Sequence, residues 1–296
     1  MAAAMTYNDY RRQMRGRFIA YRRIHYPLEH ELFDPRREYV FKPEYDFCNL
    51  FEMSLDKLLP RGRRHRWFRS MASSQALAVS VFGTMLKRGD LLLLTDLSDE
   101  SGQPLLPDFI LAGEPVFDYR VTTLNERTPT SVDLFLPGGN GHVAIECKLM
   151  EREVGPCSRV PKFCNGEYVP TECWLTKRGV AYWQHIPQLF TWDAQRPQSP
   201  CPILQSYQLV RTLLAAAIDE QGQVYGRPTG LLVYDANNPF FAEGREARLF
   251  HEVQAAITPP TVLKRVSWQT IARALEAQGR YGDLLGYLED KYGIVA

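Results

Sequence analysis

The sequence predicts an α/β fold in which helices flank a mixed β-sheet, with the core order α-β-β-β-α-β and extra helices at both ends. Three observations support this prediction. Apolar residues recur at helical spacing after residue 73, two apolar runs flank a tight loop at 137–142, and a second helical run precedes a short apolar segment at 230–235. The chain has 296 residues, which is enough to bury a sizeable core.

The first core helix is predicted over the stretch SSQALAVSVFGTMLKRG. Ser73 or Ser74 is expected to cap this helix, and Gly89 to end it. Its apolar stripe contains Leu77, Val81 and Met85. Three strands are then predicted, over VFDYRVT (116–122) and over the two runs SVDLFL and HVAIECKL.

The second core helix is predicted over CPILQSYQLVRTLLAAAIDE (201–220). Its apolar stripe contains Ile203, Tyr207, Val210, Leu214 and Ala217. The segment GLLVYD (230–235) is the last predicted core strand. The tail from Ser267 has the pattern of two helices that are broken near Gly279.

Composition divides the chain into three regions. We expect a basic, mostly helical region at 1–69, a core at 70–240 with a cysteine-containing insertion at 150–202, and a helical region at 241–296. The first region holds 15 Lys and Arg against 9 Asp and Glu, whereas the whole chain holds 35 against 34. A basic front region is typical of a surface that binds a polyanion.

The same composition argues against a membrane protein. No apolar run approaches the roughly 18 residues of a transmembrane helix, and the N-terminal sequence lacks the apolar stretch of a signal peptide. We therefore expect a cytoplasmic protein with no membrane contact. Its six cysteines are expected to be reduced thiols or metal ligands rather than disulfides.

Charged residues interrupt the two apolar runs around the Gly-rich loop. If Leu136 pairs with Val143 across this loop, Asp133 lies opposite Glu146, with Lys148 on the same face, while the other face is apolar core. Opposed carboxylates repel each other unless a cation lies between them. Carboxylates on rigid strands suit Mg²⁺ or Mn²⁺, which polarise a phosphate and activate water. The alternative is surface charge on a half-exposed sheet.

Asp133, followed after a short gap by Glu146-Cys147-Lys148, resembles the signature of the PD-(D/E)XK nuclease superfamily. The wider pattern is similar to a bacterial restriction-endonuclease-like branch, whose core has the same order of helices and strands. The resemblance implies that Asp133 and Glu146 bind Mg²⁺ or Mn²⁺, that the backbone carbonyl of Cys147 is a further ligand, and that Lys148 is catalytic. Val132 stands where the signature usually has proline.

Many members of this superfamily also carry a polar residue on the helix after the third strand. Here that helix offers Gln208 as a further catalytic residue and Arg211 as a contact to nucleic acid. Two partial matches elsewhere are weaker. The second Glu-x-Lys stretch, 289–291, has no partner acid and is expected to be a solvated helix face, and no Glu-x-Lys strand follows Pro107-Asp108 at hairpin distance.

A cluster of cysteines lies between the third strand and the second core helix. Its members are Cys157, Cys164, Cys173 and Cys201. Four thiolates could hold Zn²⁺ or an iron–sulfur cluster, which some nucleases of the superfamily carry. No Cys-x-x-Cys pair is present, so the alternative of buried small hydrophobic residues stays open.

The stretch RGRRHRWFR (61–69) is the most basic segment of the chain. Its arginines are Arg61, Arg63, Arg64, Arg66 and Arg69. They are expected to contact phosphates, while Trp67 or Phe68 packs or stacks. The alternative is a solvated face, in which case Arg11 to Arg23 or the helix with Arg211 must line the substrate channel.

Together these patterns predict a divalent-metal-dependent DNA endonuclease of the restriction or defence type. Two alternatives remain: a nucleic-acid-binding protein that kept the fold without catalysis, and a nuclease that acts on RNA. A homodimer is a further expectation.

Overall fold

The computed structural model describes residues 5–296. Within these residues, a two-stranded sheet pairs β1 with β2, and a five-stranded sheet has the order β3-β4-β5-β6-β7. The strands are β1 (Phe33–Asp34), β2 (Arg37–Phe41), β3 (Val116–Arg120), β4 (Ser131–Leu136), β5 (Val143–Cys147), β6 (Thr229–Tyr234) and β7 (Val262–Ser267). The pairs β3–β4 and β4–β5 are antiparallel, whereas β5–β6 and β6–β7 are parallel, which makes the predicted mixed sheet.

Helices surround this sheet. They are α1 (Tyr7–His25), α2 (Ser74–Lys87), α3 (Trp174–Lys177), α4 (Tyr182–Leu189), α5 (Tyr207–Ala217), α6 (Pro239–Ala242), α7 (Arg245–Ala255), α8 (Trp268–Ala277) and α9 (Gly282–Tyr292). Short 3-10 helices span His30–Leu32, Pro43–Asn49, Met53–Leu58, Arg61–Arg63 and Leu91–Thr95. The predicted α/β class and core order are confirmed.

The helix α2 forms as its sequence predicts. The Ser73 side chain accepts a hydrogen bond from the Ala76 amide and caps the first turn. The chain leaves the helix through Gly89, whose φ of +77° lies in the left-handed region that favours glycine. The two predicted tail helices are also confirmed as α8 and α9.

Two predicted elements differ from the structure. The helix expected from residue 201 begins only at Tyr207, because tertiary hydrogen bonds hold the preceding turns: the Cys201 amide donates to Gly166 O, and Leu204 O accepts from Cys157. The region 241–296 is not purely helical, since β7 adds a strand to the central sheet. The sequence did not predict β7, because two adjacent charged residues, Lys264 and Arg265, interrupt its apolar residues.

Both faces of the central sheet are buried. Leu134 and Ile145 belong to a hydrophobic cluster shared with α1, α2, α8 and α9, whereas Phe135 and Ala144 belong to a second cluster with α4 and α5. The predicted apolar face of the hairpin is core, and the other face holds the predicted charges but also Phe135 and Ala144. Val132, on the same strand as Leu134, lies in the second cluster.

Candidate active site

The hairpin β4–β5 opens at its acidic residues. Pairing follows the predicted register at Leu136–Val143 and continues to Leu134–Ile145, where the ladder ends. Beyond this point the Cys147 amide donates a hydrogen bond to the Asp133 carboxylate, at 2.7 Å from Oδ2. The Asp133 carboxylate thus accepts the hydrogen bond that a backbone carbonyl would accept in a regular ladder. The regular pairing of β4 with β5 therefore ends beside the two carboxylates.

Glu146 and Lys148 lie at the end of β5 and form a buried ion pair. The Lys148 ammonium is 2.9 Å from Glu146 Oε1, and each residue is only 5% exposed. Burial of this degree rules out the alternative of surface charges on a half-exposed sheet. The strand end is fixed further by the Lys148 amide, which donates to Val233 O on β6 at 2.7 Å.

Gln208, on the first turn of α5, completes this group. Its side-chain oxygen accepts from Lys148 Nζ at 2.8 Å, and its side-chain nitrogen donates to Glu146 Oε1 at 2.5 Å. Both donors contact Oε1, so the Oε2 atom of Glu146 faces neither of them. The structure thus brings together the four side chains singled out in the sequence, from two strands and a helix that begins 74 residues after Asp133.

Gly155 lets the chain approach Gln208 closely. The Gly155 carbonyl accepts from the Gln208 amide at 3.1 Å, and a Cβ atom added at Gly155 would lie 2.4 Å from Gln208 Oε1. The φ of Gly155 is +122°, a value that L-residues rarely adopt. Glycine at this position therefore keeps Gln208 in place between Lys148 and Glu146.

The electrostatics of the site favour a bound cation. Burial raises the pKa of the Asp133 carboxyl well above its ordinary range, and the Glu146 carboxylate raises it further. For Lys148, burial disfavours the ammonium, but the carboxylates of Glu146 and Glu151 outweigh this effect, so the pKa is raised. Lys148 therefore stays charged, while Asp133 resists ionisation unless positive charge is added.

A third acid, Asp118, lies beside this group on β3. Its neighbours Phe117 and Tyr119 pair with β4 residues on either side of Asp133, and Asp118 itself has a φ of +50°. Gln75 of α2 donates to Asp118 Oδ1 at 3.3 Å, and burial raises the pKa of Asp118. Sequence reasoning missed this residue, although an acid between aromatic residues in the strand VFDYR was a usable signal.

These residues line a cleft of about 1480 Å³. The lining also includes arginines from α1 and from the β1–β2 hairpin: Arg11, Arg15, Arg36 and Arg37. The helix α1 is held in place because Tyr7 and Tyr10 donate from their hydroxyls to Met150 O and Leu149 O, at 2.7 and 2.8 Å. The same cleft is thus lined by carboxylates and by guanidinium groups.

Comparison with known protein families identifies the chain. The model of the family described as restriction endonuclease associating with ARP matches residues 23–293. The protein belongs to this family. Neither curated proteins nor solved structures give a match. Membership indicates a nuclease and confirms the restriction-endonuclease-like resemblance found in the sequence.

In this family member, the basic segment 61–69 divides into two groups of arginines. Arg64 has a side chain only 3% exposed and forms ion pairs with Asp46 and Asp56, so its role is structural. Arg61 donates to Glu44 O and Arg69 to Phe41 O, at 2.9 and 2.6 Å.

The remaining predicted arginines have no such anchor. Arg63 is exposed and lines the cleft, as does Arg211, while Arg66 stacks on Trp67 with its guanidinium carbon 5.4 Å from the ring centroid. The Nε atom of Arg211 is buried and has no hydrogen-bond partner. These three residues stay candidates for contact with nucleic acid.

The four cysteines of the insertion are free thiols of intermediate exposure. Among residues 5–296, no group of three or more His, Cys, Asp or Glu side chains is arranged to hold a metal ion. Across the same residues, no helix is both long and apolar enough to cross a membrane.

Proposed function

We propose that the protein is a divalent-metal-dependent endonuclease that hydrolyses phosphodiester bonds in DNA. The observation that supports this most directly is the convergence of Asp133, Glu146, Lys148 and Gln208 at one end of the sheet, in a cleft that is also lined by arginines. Membership in a restriction-endonuclease family supports the same class of reaction.

The donor atoms at this position fit Mg²⁺ or Mn²⁺. The proposed ligands are the carboxylates of Asp133 and Glu146 and the backbone carbonyl of Cys147. Mg²⁺ prefers oxygen donors and is usually held by one or two carboxylates while it keeps several waters. A divalent cation would also offset the burial and the repulsion from Glu146 that together raise the pKa of Asp133. When bound, such an ion supplies Lewis-acid polarisation of a phosphate and a lowered pKa of coordinated water.

The side chains of the protein supply the remaining chemistry. Lys148 carries a charged ammonium that can stabilise negative charge on the phosphate oxygens as the transition state forms. Gln208 bonds to both Lys148 and Glu146, and therefore sets the distance between ammonium and carboxylate. Because these groups are buried and mutually bonded, little reorganisation is needed at the moment of reaction.

The cleft supplies the interface for nucleic acid. Arg11, Arg15, Arg36 and Arg37 line the same cleft as the carboxylates, and so do Arg63 and Arg211. Guanidinium groups bind phosphates through paired hydrogen bonds and steer a polyanion towards the acidic centre. The description of the family names an association with ARP, and we include such a partner in the proposal.

The deciding experiment incubates the purified protein with supercoiled plasmid, linear duplex DNA and RNA, each with EDTA, Mg²⁺ or Mn²⁺. We expect metal-dependent nicking or linearisation of the plasmid, which distinguishes internal cleavage from degradation at ends. Asp133→Asn should abolish the reaction. Asp108→Asn changes an exposed acid that follows Pro107, and it should leave the reaction unchanged. Metal-independent cutting, or full cutting by Asp133→Asn, would overturn the assignment.

The two alternatives appear as distinct outcomes of the same experiment. A chain that cuts only the RNA would be a ribonuclease. A chain that binds DNA but cuts nothing with any metal would be a non-catalytic member of the family. The carboxylates of Asp133 and Glu146 argue against this second outcome, because burial and the neighbouring carboxylate both disfavour ionised Asp133, a cost that a bound cation would offset.

A further inference from the structure

The hairpin β1–β2 has a short, charged tip that lines the cleft. Asp34 pairs with Arg37, so the connection between the strands consists of only Pro35 and Arg36. The Asp34 carboxylate accepts a hydrogen bond from the Arg36 amide at 3.0 Å, which is the local bond by which aspartate stabilises a tight turn. Arg36, Arg37 and Glu38 are exposed, and all three line the same cleft as the candidate catalytic group.

Below its tip, the hairpin is firmly held. Phe33 and Phe41, one on each strand, stack with their ring centroids 4.5 Å apart, and the ring of Tyr26 packs edge-on against both, at 5.5 and 5.6 Å. The Met71 amide, which lies shortly before α2, donates to Tyr39 O at 3.0 Å. A rigid base with exposed side chains at its end is typical of a binding element whose conformation is set before its ligand arrives.

The three charged side chains of the tip have different surroundings. Arg37 stacks on Trp67, with its guanidinium carbon 4.7 Å from the ring centroid. Successive residues of a strand point to opposite faces, so Glu38 points away from Arg37. None of the ion pairs found among residues 5–296 includes Arg36 or Glu38. The Arg36 guanidinium and the Glu38 carboxylate are therefore available to a ligand.

The carboxylate of Glu38 does not suit a surface that binds only phosphates. Glu38 lies among the arginines of the cleft, where its negative charge repels the backbone of a nucleic acid. An ionised carboxylate only accepts hydrogen bonds, so its partner must be a donor. The phosphates of DNA offer no donor, whereas the amino groups of cytosine and adenine in the major groove do. The chemistry of the tip thus points to base edges.

We propose that the hairpin β1–β2 enters the major groove of DNA and recognises a G·C base pair through Arg36 and Glu38. Arginine donates two hydrogen bonds to O6 and N7 of guanine, and glutamate accepts one from the N4 amino group of cytosine. Both partners lie on the major-groove edge of one G·C pair. A two-stranded β-ribbon fits the major groove of B-DNA, whereas the major groove of an RNA helix is too narrow for side chains to read.

This recognition deepens the proposed function, on which the choice of DNA as the ligand rests. The hairpin and the candidate catalytic group line one cleft, so one duplex contacts both. The contact at the hairpin therefore selects which phosphodiester bond lies at Asp133 and Glu146. Arg36 and Glu38 are specificity-determining residues in this respect, and neither takes part in the chemical step.

Selection of bound duplexes from a pool with a randomised centre tests the proposal. The wild-type protein in EDTA should enrich a G·C pair at a fixed position, and this readout needs no cleavage. Arg36→Gln and Glu38→Gln should each reduce the preference at that position by about fivefold to 100-fold. Glu31→Gln changes an exposed acid in the 3-10 helix before β1, outside the lining of the cleft, and should keep the preference.

The affinity for unselected duplexes separates a base contact from a phosphate contact. Glu38→Gln should bind such DNA at least as tightly as the wild type, because a negative charge is removed from the cleft, and yet it should discriminate less. If Arg36 contacts only a phosphate, Arg36→Gln lowers the affinity for all sequences equally and leaves the preference intact. That result would overturn the assignment of Arg36 to a base.

The remaining outcomes also decide the point. Wild-type protein that binds duplex DNA without any sequence preference would overturn recognition by the hairpin, whereas the proposed nuclease is judged separately by its metal-dependent cutting of plasmid. A preference that survives in both glutamine variants would assign the contact to other residues. Protein that binds no duplex DNA, or that prefers RNA, would overturn the hairpin together with DNA as the substrate.

Discussion

The chain contains two Glu-x-Lys stretches, and their lysines are buried in opposite kinds of surroundings. Lys148 bonds to a carboxylate, and its pKa is raised. Lys291, only 1% exposed, donates to Asn49 Oδ1 at 2.8 Å and to the Tyr287 hydroxyl at 2.9 Å, both neutral groups. Burial lowers the pKa of Lys291 well below its ordinary value. The expectation that 289–291 is a solvated helix face is therefore wrong for the lysine.

The difference shows that a Glu-x-Lys pattern alone does not determine the surroundings of its lysine. Around Lys291 the tyrosine rings of α1 and α9 replace carboxylates, with the ammonium 4.9 Å from the Tyr287 ring centroid and 5.6 Å from that of Tyr21. Such rings stabilise a cation through their electron-rich faces. Around Lys148 the partners come from β4, β5 and α5. Segments distant in sequence thus make one lysine a candidate catalytic group and the other part of the core.

The largest expected difference between the two stretches concerns their acids. Asp133→Asn and Glu146→Gln should each lower cleavage of plasmid DNA by at least about 100-fold, because each removes a charged ligand that acts on the transition state. Glu289→Gln, in the second stretch, should cut at the wild-type rate. Circular dichroism checks that all three variants are folded. Equal rates for Glu146→Gln and Glu289→Gln would remove the functional distinction.

The lysines should separate catalysis from stability. Lys148→Met should slow single-turnover cleavage by about 100-fold, while calorimetry still detects Mg²⁺ binding, because an ammonium is not a metal ligand. Lys291→Met should leave the cleavage rate per folded molecule unchanged. Loss of Mg²⁺ affinity in Lys148→Met with a normal rate would contradict the assigned role.

Lys291 also makes a prediction about pH. A lysine whose pKa is lowered on folding destabilises the native state below the pKa of the unfolded chain, about 10.4. Wild-type stability should therefore rise as pH increases from the lowered pKa towards this value, by up to about 1.4 kcal/mol per pH unit from this one group. Denaturant unfolding at several pH values should show that Lys291→Met removes this slope. A slope unchanged in the variant would mean that Lys291 is not the titrating group.

Asp133 predicts a pH dependence of the opposite sign. Its carboxyl has a raised pKa, so the metal-free protein should lose stability as pH rises from the unfolded value of about 3.9 towards the raised pKa. Mg²⁺ affinity should increase over the upper part of the same window, by up to about tenfold per pH unit, because the ion displaces one proton. Asp133→Asn should abolish the stability change. Calorimetric titrations that give one affinity at all pH values would contradict this coupling.

The smallest expected effect concerns arginines that face the cleft and arginines that do not. Arg11→Ala and Arg15→Ala should each flatten the slope of log affinity against log salt by about 0.9 on duplex DNA. Arg12, on the same helix but with a side chain 80% exposed and paired with Asp9, is the matched control. Fluorescence anisotropy across a salt series measures these slopes. An equally flattened slope in Arg12→Ala would show that the charge of α1 attracts DNA without placing it against the arginines of the cleft.

Local sequence predicted the parts of the molecule that local chemistry determines. The cap at Ser73, the left-handed exit at Gly89 and the pairing of Leu136 with Val143 depend on residues close in sequence, and all were recovered. The strand β7 was not predicted, because Lys264 and Arg265 interrupt its apolar residues. They are tolerated there because Asp99 and Glu100, from a distant loop, pair with them.

The residues of the candidate site also differ in whether the sequence could predict them. Asp133, Glu146 and Lys148 could be named from one hairpin, and Gln208 from a resemblance. Asp118 could have been noticed as an acid between aromatic residues, but only the sheet order places β3 beside β4 and hence Asp118 beside the other acids. The arginines of α1 were named only as an alternative lining of the channel, because the docking of α1 depends on tyrosine contacts to a strand end more than 130 residues away.

The contacts that anchor α1 also determine when folding of the molecule can be completed. The Tyr10 hydroxyl also lies 2.7 Å from the carboxyl of Asp235, which comes 225 positions later in the chain. At a synthesis rate of about 5–20 residues per second, this partner leaves the ribosome roughly 10–45 s after the tyrosine. Contacts of such high sequence separation form late and slow folding. The first helix to be made is thus among the last to dock, and the nascent chain has an open, unfinished cleft for most of its synthesis.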